Sequence, residues 1–194
     1  MNTTAITALA LLSAFYIIYF VKMLMLRKRN IQGNILGKGE KPKGSFAVEI
    51  ILRTVTFLCV PVQFASVIWG KIIINLVTFP AMCEIGLVLM IFGVVFFLLA
   101  IVTMRDNWRA GYNNDQDTQL VINGIYRFSR NPAFVGFDLL YMGCALSFPN
   151  IINAPLALIA VAMFHVQILG EEKFLIDKFG KAYLDYKARV RRYF

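Results

Sequence analysis

The sequence has one histidine, His165, and few acids: 11 Asp and Glu against 20 Lys and Arg in 194 residues. Three cysteines, Cys59, Cys83 and Cys144, form no CxxC pair. With a single histidine they leave too few ligands for a zinc site of the Cys/His kind, so no metal is expected. Each cysteine lies in an apolar run, where it reads as a small hydrophobe in a helix. The glycines Gly37 and Gly39 follow no strand and complete no GxGxxG, which excludes a dinucleotide loop. There is no internal repeat of the kind transporters carry. Nor is there a soluble basic module, so the net charge of +9 does not point to nucleic acid. Cations placed between apolar runs point to anionic lipid headgroups.

What is abundant is apolar sequence: 59% of residues are hydrophobic and the mean hydropathy is +0.66. A soluble domain is about half apolar, so lipid is the expected solvent. A helix needs about 20 apolar residues to cross a bilayer core. Thr3 to Leu26, Phe46 to Trp69 and Ala81 to about Met104 meet that length. Pro132 to Phe148 is a shorter apolar segment. Pro149 and Asn150 turn the chain into a fifth segment, Ile151 to Leu169, so that the last two form a hairpin. The first run lacks the basic start and small-residue cleavage site of a signal peptide and reads as a retained span, with Lys22 reaching to the interface. Pro61 is a candidate kink, and Glu49 with Arg53 at i and i+4 a candidate interfacial ion pair. The expected fold is an all-α polytopic bundle of about five spans with a C-terminal surface helix.

The polar segments are unequal in charge. Arg27 to Ser45, a glycine-rich stretch read as a flexible loop, holds six basic residues. Arg105 to Asn131 holds four and the tail after Gly170 seven. The connection at 70–80 carries only Lys71, and the 149–150 turn none. Basic loops stay on the cytoplasmic side, which predicts an outside N-terminus and a cytoplasmic polar third. The division is residues 1–104, three spans and a basic loop, and 105–194, the region carrying the chemistry.

Charges within spans are functional candidates. Asp138 and Glu84 each lie close to a segment end, where an interfacial carboxylate is the competing reading. On a continuous helix His165, Glu172, Ile176, Phe179, Tyr183, Tyr186 and Val190 share one arc; a break at Gly180 would void the lower half, and an ordinary amphipathic surface helix explains the pattern equally well. Tyr126, Arg127, Arg130 and Asn131 precede the hairpin. Two arginines there suit a carboxylate or phosphate clamp or headgroup anchoring. These residues imply a polar pocket beside lipid and name no reaction.

Gly124-Ile125-Tyr126-Arg127-Phe128-Ser129-Arg130-Asn131-Pro132-Ala133-Phe134-Val135-Gly136 resembles the G-P-Y-R-x-x-R-[HN]-P-x-Y-x-G signature of the isoprenylcysteine carboxyl methyltransferase family. Glu171-Glu172, Phe174, Phe179-Gly180, Tyr183, Tyr186 and Arg189-Val190 are similar to its second block, and Trp108-Arg109 also fit. The resemblance covers about residues 105–194. It implies an integral membrane carboxyl O-methyltransferase using S-adenosylmethionine, with S-adenosylhomocysteine as product, and a lipophilic or prenylated acceptor reached from membrane lipids by a monomer. It also implies a cofactor pocket lined by Tyr126, Arg127, Arg130, Asn131, Pro132 and Gly136 and closed by Glu171, Glu172, Tyr183 and Tyr186. Arg189 would hold the acceptor's carboxylate, and Glu172 the cofactor's ammonium or ribose. Ile125 stands for Pro and Phe134 for Tyr. Asn131, in place of His, can only hydrogen-bond. The alternatives are a phospholipid or small-lipid N-methyltransferase, which would need Glu172 or His165 as a base, and a non-enzymatic transporter or scaffold.

Overall fold

A computed structural model of the chain describes residues 2–38, 43–70, 76, 79–112 and 119–194. Gly39, Lys41 and Lys71 lie outside the described residues. Among the described residues six α-helices follow in order: α1 Thr3–Lys28, α2 Lys43–Trp69, α3 Pro80–Met104, α4 Pro132–Ser147, α5 Asn153–Phe179 and α6 Lys181–Arg189. Short 3-10 turns at Arg105–Asn107 and Gly124–Arg127 flank the polar segment between α3 and α4. Among the described residues there is no strand. The chain is an all-α membrane bundle: α1, α2, α3 and α5 are long and apolar enough to cross a membrane, and α4 is a shorter apolar helix. At 16 residues and 1.5 Å per residue, α4 is about 24 Å long. Ile17 (60%), Phe20 (62%) and Phe57 (75%) are exposed on the flanks, a surface suited to lipid and not to water.

The sequence dictates the ends of these helices. Asn2 caps α1 by accepting from the Ala5 amide at 3.0 Å, as a first-turn donor requires. Pro80 and Pro132 open α3 and α4, where a missing N–H costs nothing. Gly180, at φ 53°, closes α5 and starts α6; only glycine takes that conformation cheaply.

From α1 to α5 consecutive helices run antiparallel, which leaves the packed pair α1 and α3 parallel. At one end the Lys22 ammonium donates to the Arg105 carbonyl at 2.6 Å and Arg29 pairs with Asp106. At the other, Asn150 donates to Ser66 Oγ at 2.8 Å and Ser147 Oγ to the Cys83 carbonyl at 3.0 Å. The described parts of the three basic segments therefore share one end, and Pro149–Asn150 sits at the other.

α5 runs ten residues past the apolar segment and ends at Gly180, because Glu171, Glu172 and Lys173 are good helix formers with nothing to stop them earlier. α2 carries Pro61 inside the helix. Two expectations are corrected. The described part of the first loop is anchored: Ile35 N donates to the Ala110 carbonyl at 2.9 Å and Ala110 N to Gly33 at 2.8 Å. Glu49 turns inward. It is fully buried and accepts from Gly37 N at 2.7 Å and Gln167 Nε2 at 3.4 Å.

The closest helix contact is between α3 and α4. Gly86 lies against Gly143, and Gly93 against Gly136. A Cβ on Gly143 would stand 2.5 Å from the Gly86 carbonyl oxygen, and one on Gly93 2.7 Å from Leu140 N. Small residues let membrane helices approach to backbone contact, where packing replaces the hydrophobic effect that lipid does not supply.

Candidate functional site

The tail folds back over the start of α4, and a buried carboxylate fixes it there. Glu172, 3% exposed, accepts from Arg130 Nη2 at 2.6 Å and Nε at 3.3 Å. Arg192 reaches it through Nε at 3.0 Å and Nη2 at 2.9 Å. Lys187 Nζ stands 3.8 Å away. Arg130 also donates to the Val190 carbonyl at 2.5 Å, while its backbone N donates to Arg191 O at 3.0 Å. Ser129 Oγ and Asn131 Nδ2 both donate to the Arg192 carbonyl, and the Tyr186 hydroxyl donates to the Tyr126 carbonyl at 2.6 Å. A carboxylate of this kind is buried only because paired cations and hydrogen bonds replace its water.

Beneath this lock lies a cavity of about 150 Å³. Its polar groups come from Asn107, Arg109, Arg130, Asn131, Glu171 and Tyr183, its rings from residues such as Tyr112, Phe134 and Phe174. Tyr112 stacks on Phe174 with ring centroids 5.0 Å apart. Burial, and next the Glu172 charge, push the Tyr183 hydroxyl up to about 12, and burial raises Tyr186. Both stay neutral donors at any physiological pH. Burial lowers Arg109, with Asp106 opposing.

A second cavity of about 690 Å³ runs into the bundle between α1, α2, α4 and α5. It is mainly apolar, with Phe20, Phe57, Phe137 and Phe164 in its walls. Phe20 and Phe57 are also its lipid-exposed flank, beside the gap between α1 and α2. The two cavities share Trp108, Arg109, Gly111, Ala133 and Phe134. Arg109 itself is fixed by donating to the Asp106 and Trp108 carbonyls.

Of the residues singled out in the sequence, Tyr126, Arg130, Asn131, Glu171, Tyr183 and Tyr186 line the smaller cavity. Arg127 and Arg189 are exposed and line neither cavity; the Arg189 Nε donates to the Asp185 carbonyl at 3.1 Å. The helix break at Gly180 resets the phase of α6 and carries Arg189 outward. Pro132 starts α4, and Gly136 faces α3, where its Cβ would meet Phe97 N at 2.8 Å. Glu172 is in the lock and not in the cavity wall, so the two adjacent glutamates divide: Glu171 faces the cavity and Glu172 the cations. His165 is exposed, with Nδ1 2.6 Å from the Tyr193 hydroxyl, and lines neither cavity. Sequence reasoning missed Arg192 as a partner of Glu172 and gave Arg109, Tyr112 and Phe174 no role. Trp108-Arg109 and Phe174 carried a signal only through the family resemblance. Among the described residues no group of His, Cys, Asp and Glu is placed to hold a metal.

A family model described as phospholipid methyltransferase matches residues 81–182, more than half of the chain, and the chain belongs to that family. It is 31% identical over 113 residues to a protein-S-isoprenylcysteine O-methyltransferase from Dictyostelium discoideum, covering 55% of this chain and 46% of that protein. The protein of the same name from Tribolium castaneum is 30% identical over 131 residues, covering 63% and 47%. The one from Homo sapiens is 33% identical over 108 residues, covering 54% and 38%. These names are those of the family whose motifs the sequence resembles. The matched regions cover about half or less of each of these relatives.

Proposed function

We propose that the chain is an S-adenosylmethionine-dependent membrane methyltransferase whose acceptor is the carboxylate of a lipophilic, isoprenylcysteine-like molecule. The observation that carries this is the shared wall. A polar, aromatic cavity open to the basic end meets a long apolar cavity open toward lipid, and Arg109 stands between them. The residues of the smaller cavity fit the cofactor: Glu171 suits an ammonium or ribose, and the rings of Phe134, Tyr112 and Phe174 suit a purine. When bound, S-adenosylmethionine supplies a sulfonium methyl, which the carboxylate oxygen takes as the C–S bond breaks toward sulfur, leaving a methyl ester and S-adenosylhomocysteine. An ionised carboxylate needs no general base, so the protein's work is alignment and exclusion of water. Arg109 is the guanidinium at the junction of the two cavities, the type of group that recognises a carboxylate, and Arg189 lines neither cavity. Trp108 and Phe134 keep that junction dry.

The family model's description favours one second reading, transfer to a phospholipid amine. An amine acceptor needs a base, and Glu171 is the acid at the cavity. Both readings are tested with purified protein in nanodiscs and radiolabelled cofactor, offering N-acetyl-S-farnesylcysteine and phosphatidylethanolamine. Base-labile methyl ester is expected from the first. Label in the phospholipid and none in the prenylcysteine would reverse the order. Arg109→Lys should lower kcat/KM for the prenylcysteine at least tenfold, about 1.4 kcal/mol, because lysine cannot make the planar contact. Binding of S-adenosylhomocysteine should persist. Equal rates in both proteins would remove Arg109 from the role.

The segregation of basic segments supports a cytoplasmic site with the N-terminus outside. In a cysteine-less background, Gln32→Cys and Ala188→Cys should be labelled from the cytoplasmic side only, and Ile151→Cys from the outside only. Labelling of Ala188→Cys from outside would invert the topology.

A further inference from the structure

The apolar cavity ends on polar groups. On α4 its wall runs from Ala133 to Tyr141, and on α2 from Leu52 to Val60; eight residues of helix on each make it about 12 Å deep. At that depth Tyr141 and Tyr16 both stand in the cavity wall, and the Tyr16 hydroxyl donates to Gln63 Oε1 at 2.5 Å. One side chain from each of α4, α1 and α2 thus makes a bar across the bundle. Gln63 and Tyr141 are each 1% exposed. Gln63 Nε2 has no hydrogen-bond partner, so the bar holds a donor that hydrocarbon does not satisfy. Leu12, Phe15 and Cys144 nearby are completely buried, and none of the three lines the cavity.

We propose that the Tyr141–Tyr16–Gln63 bar is the end stop of the acceptor's hydrocarbon chain and sets the longest chain the enzyme accepts. The proposal rests on the reading that this cavity holds the acceptor's tail. A chain that pressed past the bar would part groups that have no water to replace the lost partners. It would also have to open helices packed at close-packed density. A longer chain has one alternative, to bend out between Phe20 and Phe57 and lie in lipid. That bend orders the chain at a cost in conformational entropy, and nothing offsets it, because lipid is no better a solvent for its last methylenes than the membrane the acceptor came from. Chain length is therefore selected against beyond the bar, while shorter chains leave part of the cavity without contacts.

The test is a binding series of N-acetyl-S-alkylcysteines, octyl to icosyl, competing for the S-adenosylhomocysteine-loaded protein in nanodiscs, where every chain shares one apolar reference. Wild type should show an optimum length, with affinity falling at least about tenfold for the longest chains. Tyr141→Ala and Tyr16→Ala should move the optimum to longer chains. Tyr16→Phe, which keeps the ring and removes the hydrogen bond to Gln63, should leave the optimum in place and weaken the penalty beyond it. Val60→Phe, which fills the cavity in front of the bar, should move the optimum to shorter chains; its shift is opposite in sign and does not depend on the alanine variants folding. A flat profile in wild type, or one optimum common to Val60→Phe, Tyr141→Ala and wild type, overturns the end stop. A series that binds with the expected optimum and is never methylated leaves the end stop standing and defeats the carboxyl-acceptor reading. A series that does not bind at all defeats both.

Discussion

Glu172→Ala should lower the unfolding free energy of the purified protein by about 3–5 kcal/mol, the usual result of removing one partner from a buried ion pair. Arg130, with a side chain 7% exposed, would be left as an uncompensated charge, and Arg192, 31% exposed, would lose its anchor. Lys187 is too exposed to contribute much. Arg192→Ala should cost less, because Glu172 keeps both contacts from Arg130. In a double-mutant cycle the two arginines should be strongly non-additive, since they share one carboxylate. The tail should also become sensitive to limited proteolysis in Glu172→Ala, as Arg130 and Asn131 lose the geometry that receives residues 190–192. Denaturant unfolding in detergent, followed by near-UV circular dichroism, reads the first effect. Wild-type stability combined with lost S-adenosylhomocysteine binding would mean instead that Glu172 touches the cofactor directly and that the lock is incidental.

That carboxylate also marks how far sequence alone could go. Runs of apolar residues long enough for a bilayer placed α1, α2 and α3 to within a few residues, because length and hydropathy are local properties. The hairpin was legible for the same reason, with Pro132 and Pro149 as punctuation. The motif before α4 and the block around Glu171 were recognisable as neighbours in space, yet the division of labour between adjacent glutamates was not. Which of two successive helix positions faces a cavity depends on how α5 is rotated against α2 and on where the tail returns, and neither is local. The stripe from His165 to Val190 held only in part: Phe179, Tyr183 and Tyr186 line the smaller cavity, while His165 is exposed and the left-handed glycine at position 180 breaks the phase. Arg189 then points outward while Arg192, three residues on, is drawn in. Arg109 was visible only through the fit of Trp108-Arg109 to the family's pattern. Its place between the two cavities is produced by the pairing of residues 33–35 with Ala110, a contact between segments about 75 residues apart that no periodicity announces.

Gly143→Leu should abolish the native bundle, and Gly143→Ala alone should destabilise it by about 1–3 kcal/mol, the cost of overpacking a close-packed site. The Cβ added at this position meets the Gly86 carbonyl oxygen at 2.5 Å and Met90 N at 2.9 Å. Both are backbone atoms in the middle of a helix and cannot rotate away, so α3 and α4 must separate along their length. Gly93→Ala meets Leu140 N at 2.7 Å and Gly136 O at 2.8 Å and should behave alike. The glycines recur seven residues apart on each helix, 86 and 93 facing 143 and 136, so a single interface carries both contacts. The pair Gly86→Ala and Gly143→Ala, which wedges one point from both sides, should cost less than the sum of its members, because the first substitution already forces the helices apart there. Gly44→Ala is the control: nothing lies within 4 Å of the added carbon, and alanine in a helix is favoured over glycine by roughly 0.5–1 kcal/mol. The measurement is thermal unfolding of each variant in one detergent. Because Pro132 and Asn131 ride on the start of α4, S-adenosylhomocysteine affinity should fall in Gly136→Ala even at temperatures where the variant remains folded. If Gly143→Ala and Gly93→Ala melt like Gly44→Ala, the two helices are not in backbone contact and the interface must be drawn differently.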